Sequence, residues 1–446
     1  MLGKNKIRKI INQALSFSSV DQTEIVVIAY SSGLTRFAEN RIHQNMAQEN
    51  INISVRAVLN KKIGVAKTNK KDKRSLKEVV RRAEEIAKNQ KPDEYFLTLP
   101  EPKKTSSVDA YREATAFFGP LKRAKIVNQI INRVEKENLR AFGALETGVT
   151  EYAVANSLGV FLYHLATTAE ISLVVKDKQE NSGFGNQISL DINELNIEKV
   201  TQTAVKKAIL SKNPVEIKLG RYSVILEEQP VNEILSYLAY LALGARAFHE
   251  DRSFLSGQLG KKVAGENITL WDDGLDPVCL PMPFDLEGVP KKKTMIIEKG
   301  ILKEIVYDHY DALKYGKKPT GHGLSAPNTL GALAGHLHLA TGKYTKKELI
   351  KRLDKGLLIS KLWYLNAHHH KELNLTGLTR DGTFLIESGR IKAAVKNLRF
   401  TQSIPQALFQ VTEIARKAKL EKSWFGGNLV PALKIKSWNF TGISKL

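Results

Sequence analysis

The sequence predicts an α+β protein in two parts. Residues 1–217 read as a mixed α/β amino-terminal domain with antiparallel strands and helices, and residues 218–446 as a β-rich domain on a barrel-like antiparallel sheet. Three observations lead there. Short β-branched, alternating runs separated by turn residues fill the first third; helices with readable start signals interrupt them; and beyond Asn213-Pro214 one Gly-centred pattern occurs twice in strand-like sequence. At 446 residues the chain is too long for one ordinary core. The change of texture after Pro214 puts the boundary within 214–220.

EIVVIAY (24–30), NINISVRAVLN (50–60) and KIGVAKT (62–68) are candidate strands of a small antiparallel meander, with Gly33 and Asn60-Lys61-Lys62 as turns. Ser75 and Glu78 form a Ser-x-x-Glu capping box, and Leu76, Val79, Val80, Ala83 and Ile86 recur on one helical face until Pro92 stops the helix. A Pro-bearing connector (98–107) leads to a helix over 122–138. Residues 139–176 alternate apolar and polar, with Gly148, Asn156–Gly159 and Thr167-Thr168 as breaks, a pattern of three or four antiparallel strands. A helix over 194–211 precedes the boundary.

RYSVILE (221–227) then reads as a buried strand. Val231, Ile234, Leu235, Leu238, Leu241, Ala245 and Phe248 recur at three- and four-residue steps, predicting one apolar helix that runs to His249-Glu250. MIIEKGILKEIVYD (295–308) and FLIESGRIKAAVKNLRF (384–400) share an apolar-Ile-Glu-x-Gly-x-apolar-Lys pattern and predict two tight β-hairpins. Between them Thr345 and Glu348 form a second capping box, opening a helix to about Lys355 with Gly356 at its end.

Composition bounds the function classes. The chain is 42% apolar, enough for a buried interior, and no unbroken apolar run approaches the roughly 20 residues a membrane helix needs. MLGKNKIRKIINQALSF lacks the apolar core of a signal peptide, so the expected location is cytoplasmic. Cys279 is the single cysteine and excludes an internal disulfide or a multi-cysteine metal site. A net charge of +22 permits an acidic partner, with concentrations at KKDKR (70–74), KKK (291–293) and KRLDK (351–355). No zinc-finger spacing, aromatic RNP-like motif or helix-turn-helix accompanies it, so a basic solvated surface explains the charge better than nucleic-acid binding does.

His249-Glu250 at the end of an apolar helix is the first candidate for a metal or catalytic site. A zinc-binding helix needs a second imidazole one turn on, so that two ligands point the same way, and positions 253 and 254 hold Ser and Phe. His336 and His338 would share a strand face, a geometry open to metal binding or to an ordinary strand margin. His368, His369 and His370 are consecutive, so no regular element aims all three at one point, although the tract could hold adventitious nickel or zinc. Asp272, Asp273, Asp285, Glu287 and Glu298 resemble a hard-metal set, but Asp-Asp-Gly and Asp-x-Glu-Gly-x-Pro are also turn chemistry, the reading favoured. Ser253 and Ser256 have no local base for nucleophilic catalysis.

RSFLSGQLGKKVA (252–264), WDDG (271–274), PFDLEGVPKKKTMIIEKGIL (283–302), TGHG (320–323) and TGLTRDGTFLIESGRIKAAVKNLRFTQS (376–403) together resemble the TldD/PmbA family of gyrase modulators and metallopeptidases. SSGLTRFAENRIHQN (31–45) is similar too, and the resemblance covers nearly the whole chain in order. It implies a dimer around an enclosed peptide-cleaving chamber. TldD-type members resemble zinc peptidases with a His-Glu-x-x-x-His helix and a later cysteine ligand, whereas PmbA (TldE)-type members lack these and pair with a TldD-type subunit. The family pattern places the zinc helix at about 236–244, SYLAYLALG, which has neither His nor Glu, and the cysteine near EKSWFGGNLVPALKIKSW (421–438), which has no Cys.

The resemblance therefore implies a non-catalytic subunit with no metal or cofactor of its own, zinc being expected in a TldD-type partner. The partners implied are a TldD-like catalytic subunit, or a second copy as homodimer, and an unfolded or modified peptide. Arg252, Ser253, Phe254, His322, Arg380 and Asp381 lie in the family-like stretches and are the substrate-binding candidates, with loop shaping the alternative for His322. Two other readings stand: a divergent active metallopeptidase using His249 and Glu250, and a nucleic-acid-associated protein.

Overall fold

A computed structural model of the chain describes residues 1–444. The first sheet has six strands, β1 (Gln22–Ala38), β2 (Arg41–Leu59), β3 (Lys62–Thr68), β4 (Arg140–Asn156), β5 (Phe161–Lys176) and β6 (Ser182–Ser189). Their order is β3-β2-β1-β4-β5-β6, antiparallel at every step. Helices Lys4–Leu15 and Lys73–Lys88 bury Ile7, Ile11, Leu76, Val80 and Ala83 against β1 to β3. Helices Pro120–Glu135 and Ile197–Leu210 do the same over β4 and β5 with Val127, Val134 and Ala204.

Three expectations change here. The 139–176 region forms two long strands rather than three or four, because Gly148 and Thr168 face each other in unbroken register and neighbours on both sides hold the chain extended. Gly33 likewise lies inside β1: a Cβ there would sit 2.2 Å from the Arg123 guanidinium, so the glycine makes room for a buried cation instead of turning the chain. The helix expected from a Ser75 cap begins earlier, at Lys73. Asp72 is the N-cap, its carboxylate accepting the Ser75 N–H at 3.0 Å, and an acid there also meets the positive end of the helix dipole.

The second sheet is mixed and contains β7 (Gly220–Leu226), β8 (Leu270–Asp272), β9 (Thr294–Glu298), β10 (Ile301–Leu302), β11 (Leu337–Leu339), β12 (Lys355–Ile359), β13 (Leu362–His369), β14 (Asn374–Thr379), β15 (Thr383–Glu387), β16 (Arg390–Ala394), β17 (Leu398–Ser403), β18 (Val411–Ser423) and β19 (Gly426–Ile443). Its main path runs β10-β9-β8-β11-β19-β7-β12-β15-β16, with the remaining strands as branches, and does not close into a barrel. Most neighbours are antiparallel, but β12 runs parallel to β7 and β11 to β19. Both Gly-centred hairpins form: Lys299-Gly300 and Ser388-Gly389 have positive φ at both turn positions, the backbone that matches strand twist in a two-residue loop.

The long apolar helix is interrupted. Helix Glu228–Leu241 ends, and a five-residue helix, Ala245–His249, follows. Between them the Leu243 carbonyl accepts the Val306 N–H, the Ala242 carbonyl accepts the Ser253 hydroxyl, and Gly244 packs against the Ala332 carbonyl. These contacts draw the backbone away from the helical ladder. The Thr345 capping box forms as expected but opens only Lys346–Lys351, since Gly356 is already in β12.

Beside β1 and β2 the two halves touch through an apolar contact and an ionic one. Phe284 buries its ring against Val26 of β1 and Val154 of β4, on the sheet face opposite the helices. Beside it Arg56 of β2 pairs with Glu24 at 2.5 Å and reaches Glu287 of the second half at 3.5 Å. No helix of the described residues is long and apolar enough to cross a membrane.

Candidate functional site

Between β4 and β5 on one side and the loops around 280–286, 322–324, 333–336 and 422–426 on the other lies a cavity of about 390 Å³. Its polar floor is held by Asp272 at the end of β8. One carboxylate oxygen accepts the His336 backbone N–H at 2.8 Å; the other lies 2.9 Å from His322 Nε2, close but not aligned as a hydrogen bond, and 3.9 Å from Lys291 Nζ. Burial opposes the Asp272 charge, yet His322 and the Lys291 ammonium hold its carboxyl well below the usual range. Burial and Lys291 push both imidazoles down, His336 to about 3, which leaves the His336 ring neutral. His336 Nε2–H then donates to the Leu280 carbonyl at 2.9 Å, while His322 Nδ1 meets the Thr320 hydroxyl at 2.8 Å. Asp285 accepts the N–H groups of Glu287, Val289 and Gly323, the turn role expected of it.

The rim is apolar and partly aromatic. Leu280, Met282, Leu324 and Leu333 line it with Trp424 and Phe425, whose side chains remain 48% and 46% exposed. Trp424 stands in the turn between β18 and β19 and packs edge-on against two rings of helix Glu228–Leu241: Tyr237 at 5.1 Å between centroids and Tyr240 at 5.6 Å. Tyr237 is pinned by its hydroxyl, which donates to the Leu365 carbonyl at 2.5 Å.

Of the residues singled out from sequence, Asp285, His322 and His336 line this cavity, and of the substrate-binding candidates His322 alone does. Glu250 and Arg252 line a second, more open one of about 700 Å³, together with Arg246 and Asp308, and pair with each other at 2.7 Å. His249 ends its short helix with Nε2 2.9 Å from the Tyr307 hydroxyl and its ring stacked on Tyr315 at 3.8 Å. Ser253 is buried, giving its hydrogen to the Ala242 carbonyl and accepting the Leu255 N–H, and Phe254 packs on the core. Arg380 lies over Trp363 at 4.0 Å, and Asp381 ties Lys361 to Ser182 of β6, both away from the cavity.

The histidine pairs do not converge. His336 meets Leu280, while His338 stacks on Trp271 at 5.3 Å; His368, His369 and His370 are exposed on β13 and the turn after it. Among the described residues no group of three His, Cys, Asp or Glu side chains could hold a metal ion. Sequence reasoning missed Lys291, seen only as part of a basic run, and the Tyr237–Trp424 contact, which no local pattern signals.

Residues 219–442 match the family model of the PmbA/TldA metallopeptidase C-terminal domain, 23–87 that of domain 1, and 70–212 that of the central domain. The chain belongs to the PmbA/TldD family. The metalloprotease TldD homolog of Buchnera aphidicola subsp. Acyrthosiphon pisum is 24% identical over 67% of this chain, and the metalloprotease PmbA homolog of subsp. Baizongia pistaciae 28% over 61%. The match spans 64% and 61% of those relatives, less than two thirds of their own length. The fold is that of TldE from Thermococcus kodakarensis, with a TM-score of 0.89 over 98% of this chain and 100% of that one at 24% identity.

In this PmbA/TldD chain, the two segments where the family resemblance places zinc ligands, 236–244 and 421–438, do come together, through Tyr237, Tyr240 and Trp424. Zinc takes imidazole, thiolate or carboxylate ligands. What stands there is the Ser236 hydroxyl, two phenols and an indole, with Glu421 the one carboxylate and already accepting from Lys419 and Asn186, a set that does not fit the metal; among the described residues the Ser236 oxygen is buried without a hydrogen-bond partner. Cys279 is no substitute: its thiol donates to the Gly427 carbonyl at 2.7 Å, and burial pushes its pKa up, away from the thiolate a metal would need.

Proposed function

We propose that this protein is a non-catalytic, TldE/PmbA-like subunit of a peptide-processing metalloprotease assembly, and that its interdomain cavity holds unfolded or modified peptide for a TldD-like partner that carries zinc. The observation that carries this reading is the edge-to-face contact of Tyr237 with Trp424 where the family resemblance places metal ligands. Aromatic rings cannot replace imidazole and thiolate in binding zinc, but they offer a flat apolar wall to an extended chain. The neighbouring cavity has the composition of a binding site, an apolar rim over a few fixed polar groups, and its size suits one or two residues of a peptide. The +22 charge adds a preference for acidic peptides.

The alternative metallopeptidase using His249 and Glu250 has less support, since His249 is stacked on Tyr315 and bonded to Tyr307 while Glu250 is paired with Arg252. Metal analysis of tag-free protein separates the two. The proposal expects no stoichiometric zinc in this chain and peptide cleavage only after addition of a TldD-like subunit; stoichiometric zinc that disappears in His249→Ala would overturn it.

A further inference from the structure

The cavity described above contains one cation that the fold has built in and left without a hydrogen bond. Lys291 is 9% exposed and lines the cavity floor. Its backbone is fixed where its N–H meets the Pro283 carbonyl, and its stem crosses Gly274, where a Cβ would lie 2.3 Å from Lys291 Cδ and 2.8 Å from the Met282 carbonyl oxygen. The side chain therefore runs in a groove that needs a glycine on its other side. Lys292 and Lys293, next in the same basic run, are exposed in the ordinary way.

Among the described residues the Lys291 ammonium donates no hydrogen bond. Asp272, at 3.9 Å, is the one carboxylate within ion-pair distance, and its oxygens are already turned to the His336 N–H and the His322 ring. A lysine whose stem is buried and whose ammonium has no protein acceptor keeps its donors for whatever enters the cavity. The walls above it, Leu280, Met282, Leu324 and Phe425, are apolar. A cation beneath apolar walls suits a ligand with a negative tip and an apolar flank.

Resting on the peptide-holding reading, we infer that Lys291 is the anchor for a peptide's terminal carboxylate, with the last apolar side chain packed against the rim. A carboxylate brings two acceptors to the three idle donors, and the resulting charge-assisted bonds are stronger than any a neutral amide could make. A glutamate or aspartate side chain offers the same chemistry from inside a peptide, so the experiment separates the two sources.

Three fluorescein-labelled decapeptides are titrated with the full chain and followed by anisotropy: one ending in leucine with a free carboxylate, its C-terminal amide, and an amidated peptide with an internal glutamate. The free acid is expected to bind about tenfold or more tightly than either amide. Lys291→Gln should bring the free acid down to the level of its amide and leave the amide unchanged, while Lys291→Arg restores part of the difference. Equal binding of acid and amide by the wild-type chain overturns this inference and leaves peptide holding intact; the internal-glutamate peptide binding as well as the free acid overturns the terminal assignment in favour of side-chain carboxylates. Absence of binding by all three overturns the peptide-holding reading together with it. Should Lys291→Gln fail to fold, the wild-type acid-to-amide ratio and Lys291→Arg still decide the question.

Discussion

Tyr237 and Trp424, far apart in the chain, meet edge to face with ring centroids 5.1 Å apart at an interplanar angle of 71°. The contact fastens the β18–β19 turn to the helix behind the cavity and leaves half of the indole in solvent. Such a pair contributes roughly 0.5–1.5 kcal/mol beyond the area it covers. Trp424→Ala should therefore destabilise the chain by about 1–2 kcal/mol in urea unfolding, and weaken peptide binding more than that loss explains. A variant with unchanged peptide affinity would remove Trp424 from the binding wall.

His249 offers the contrary case. Its stacking on Tyr315 and its bond to Tyr307 are structural, so His249→Ala should cost about 1–2 kcal/mol of stability. Cleavage by the reconstituted assembly, measured below the variant's unfolding temperature, should stay within twofold or so of wild type.

The buried imidazoles set an acid limb. Burial holds His336 at about 3 when folded, against about 6.5 in the unfolded chain, so below 6.5 the unfolded state binds the proton first. The stability this ring contributes is complete above 6.5 and is lost as pH falls toward 3. His336→Gln, which keeps an N–H for the Leu280 carbonyl, should flatten the fall in urea midpoint between pH 6.5 and 4, a change on the order of 1–3 kcal/mol across that window.

Asp308 works in the opposite direction. Burial, and then the nearby Asp311 charge, raise it to about 7, so the folded state holds a proton that the unfolded chain releases near 4. Its contribution is complete below about 4 and is lost as pH rises through 7. Asp308 also caps helix His309–Lys314 by accepting the Asp311 N–H, a task Asn performs equally well. Asp308→Asn should thus raise the unfolding midpoint relative to wild type, by more at pH 8 than at pH 5; a parallel shift at both would show that charge is not the cause.

Asp381 joins the halves by accepting from Lys361 Nζ at 2.7 Å and from the Ser182 hydroxyl at 2.7 Å, and it is buried. Asp381→Ala leaves an uncompensated lysine at that seam. A loss of about 2–4 kcal/mol is expected, with faster proteolysis between residues 189 and 220, readable by limited trypsin digestion.

Much of the fold was legible because its signals are local. Lys299-Gly300 and Ser388-Gly389 announce their turns through residue type, and Thr345 with Glu348 announces a cap. The misreadings share a cause in distant partners. Gly33 is a mid-strand residue because Arg123 arrives from another element, and the helix through Leu241 stops because Val306 and Ser253 take up its backbone groups. The candidate site was readable only in part for the same reason. His322 stood out as a histidine between glycines, but nothing in Lys291-Lys292-Lys293 says which lysine turns inward, since that depends on Gly274 and Asp272.

The position of β19 bears on how the protein is made. This strand is bonded to β7, β11, β17 and β18, and all four precede it in the chain. During synthesis β7 must wait, with β12 on one side and its other edge open, until nearly the whole second half has left the ribosome. An unpaired edge ending in Val224-Ile225-Leu226 is a hazard over such an interval. A ribosome stalled before Gly426 would leave the first sheet able to assemble and the second without its middle, a nascent chain suited to chaperone capture.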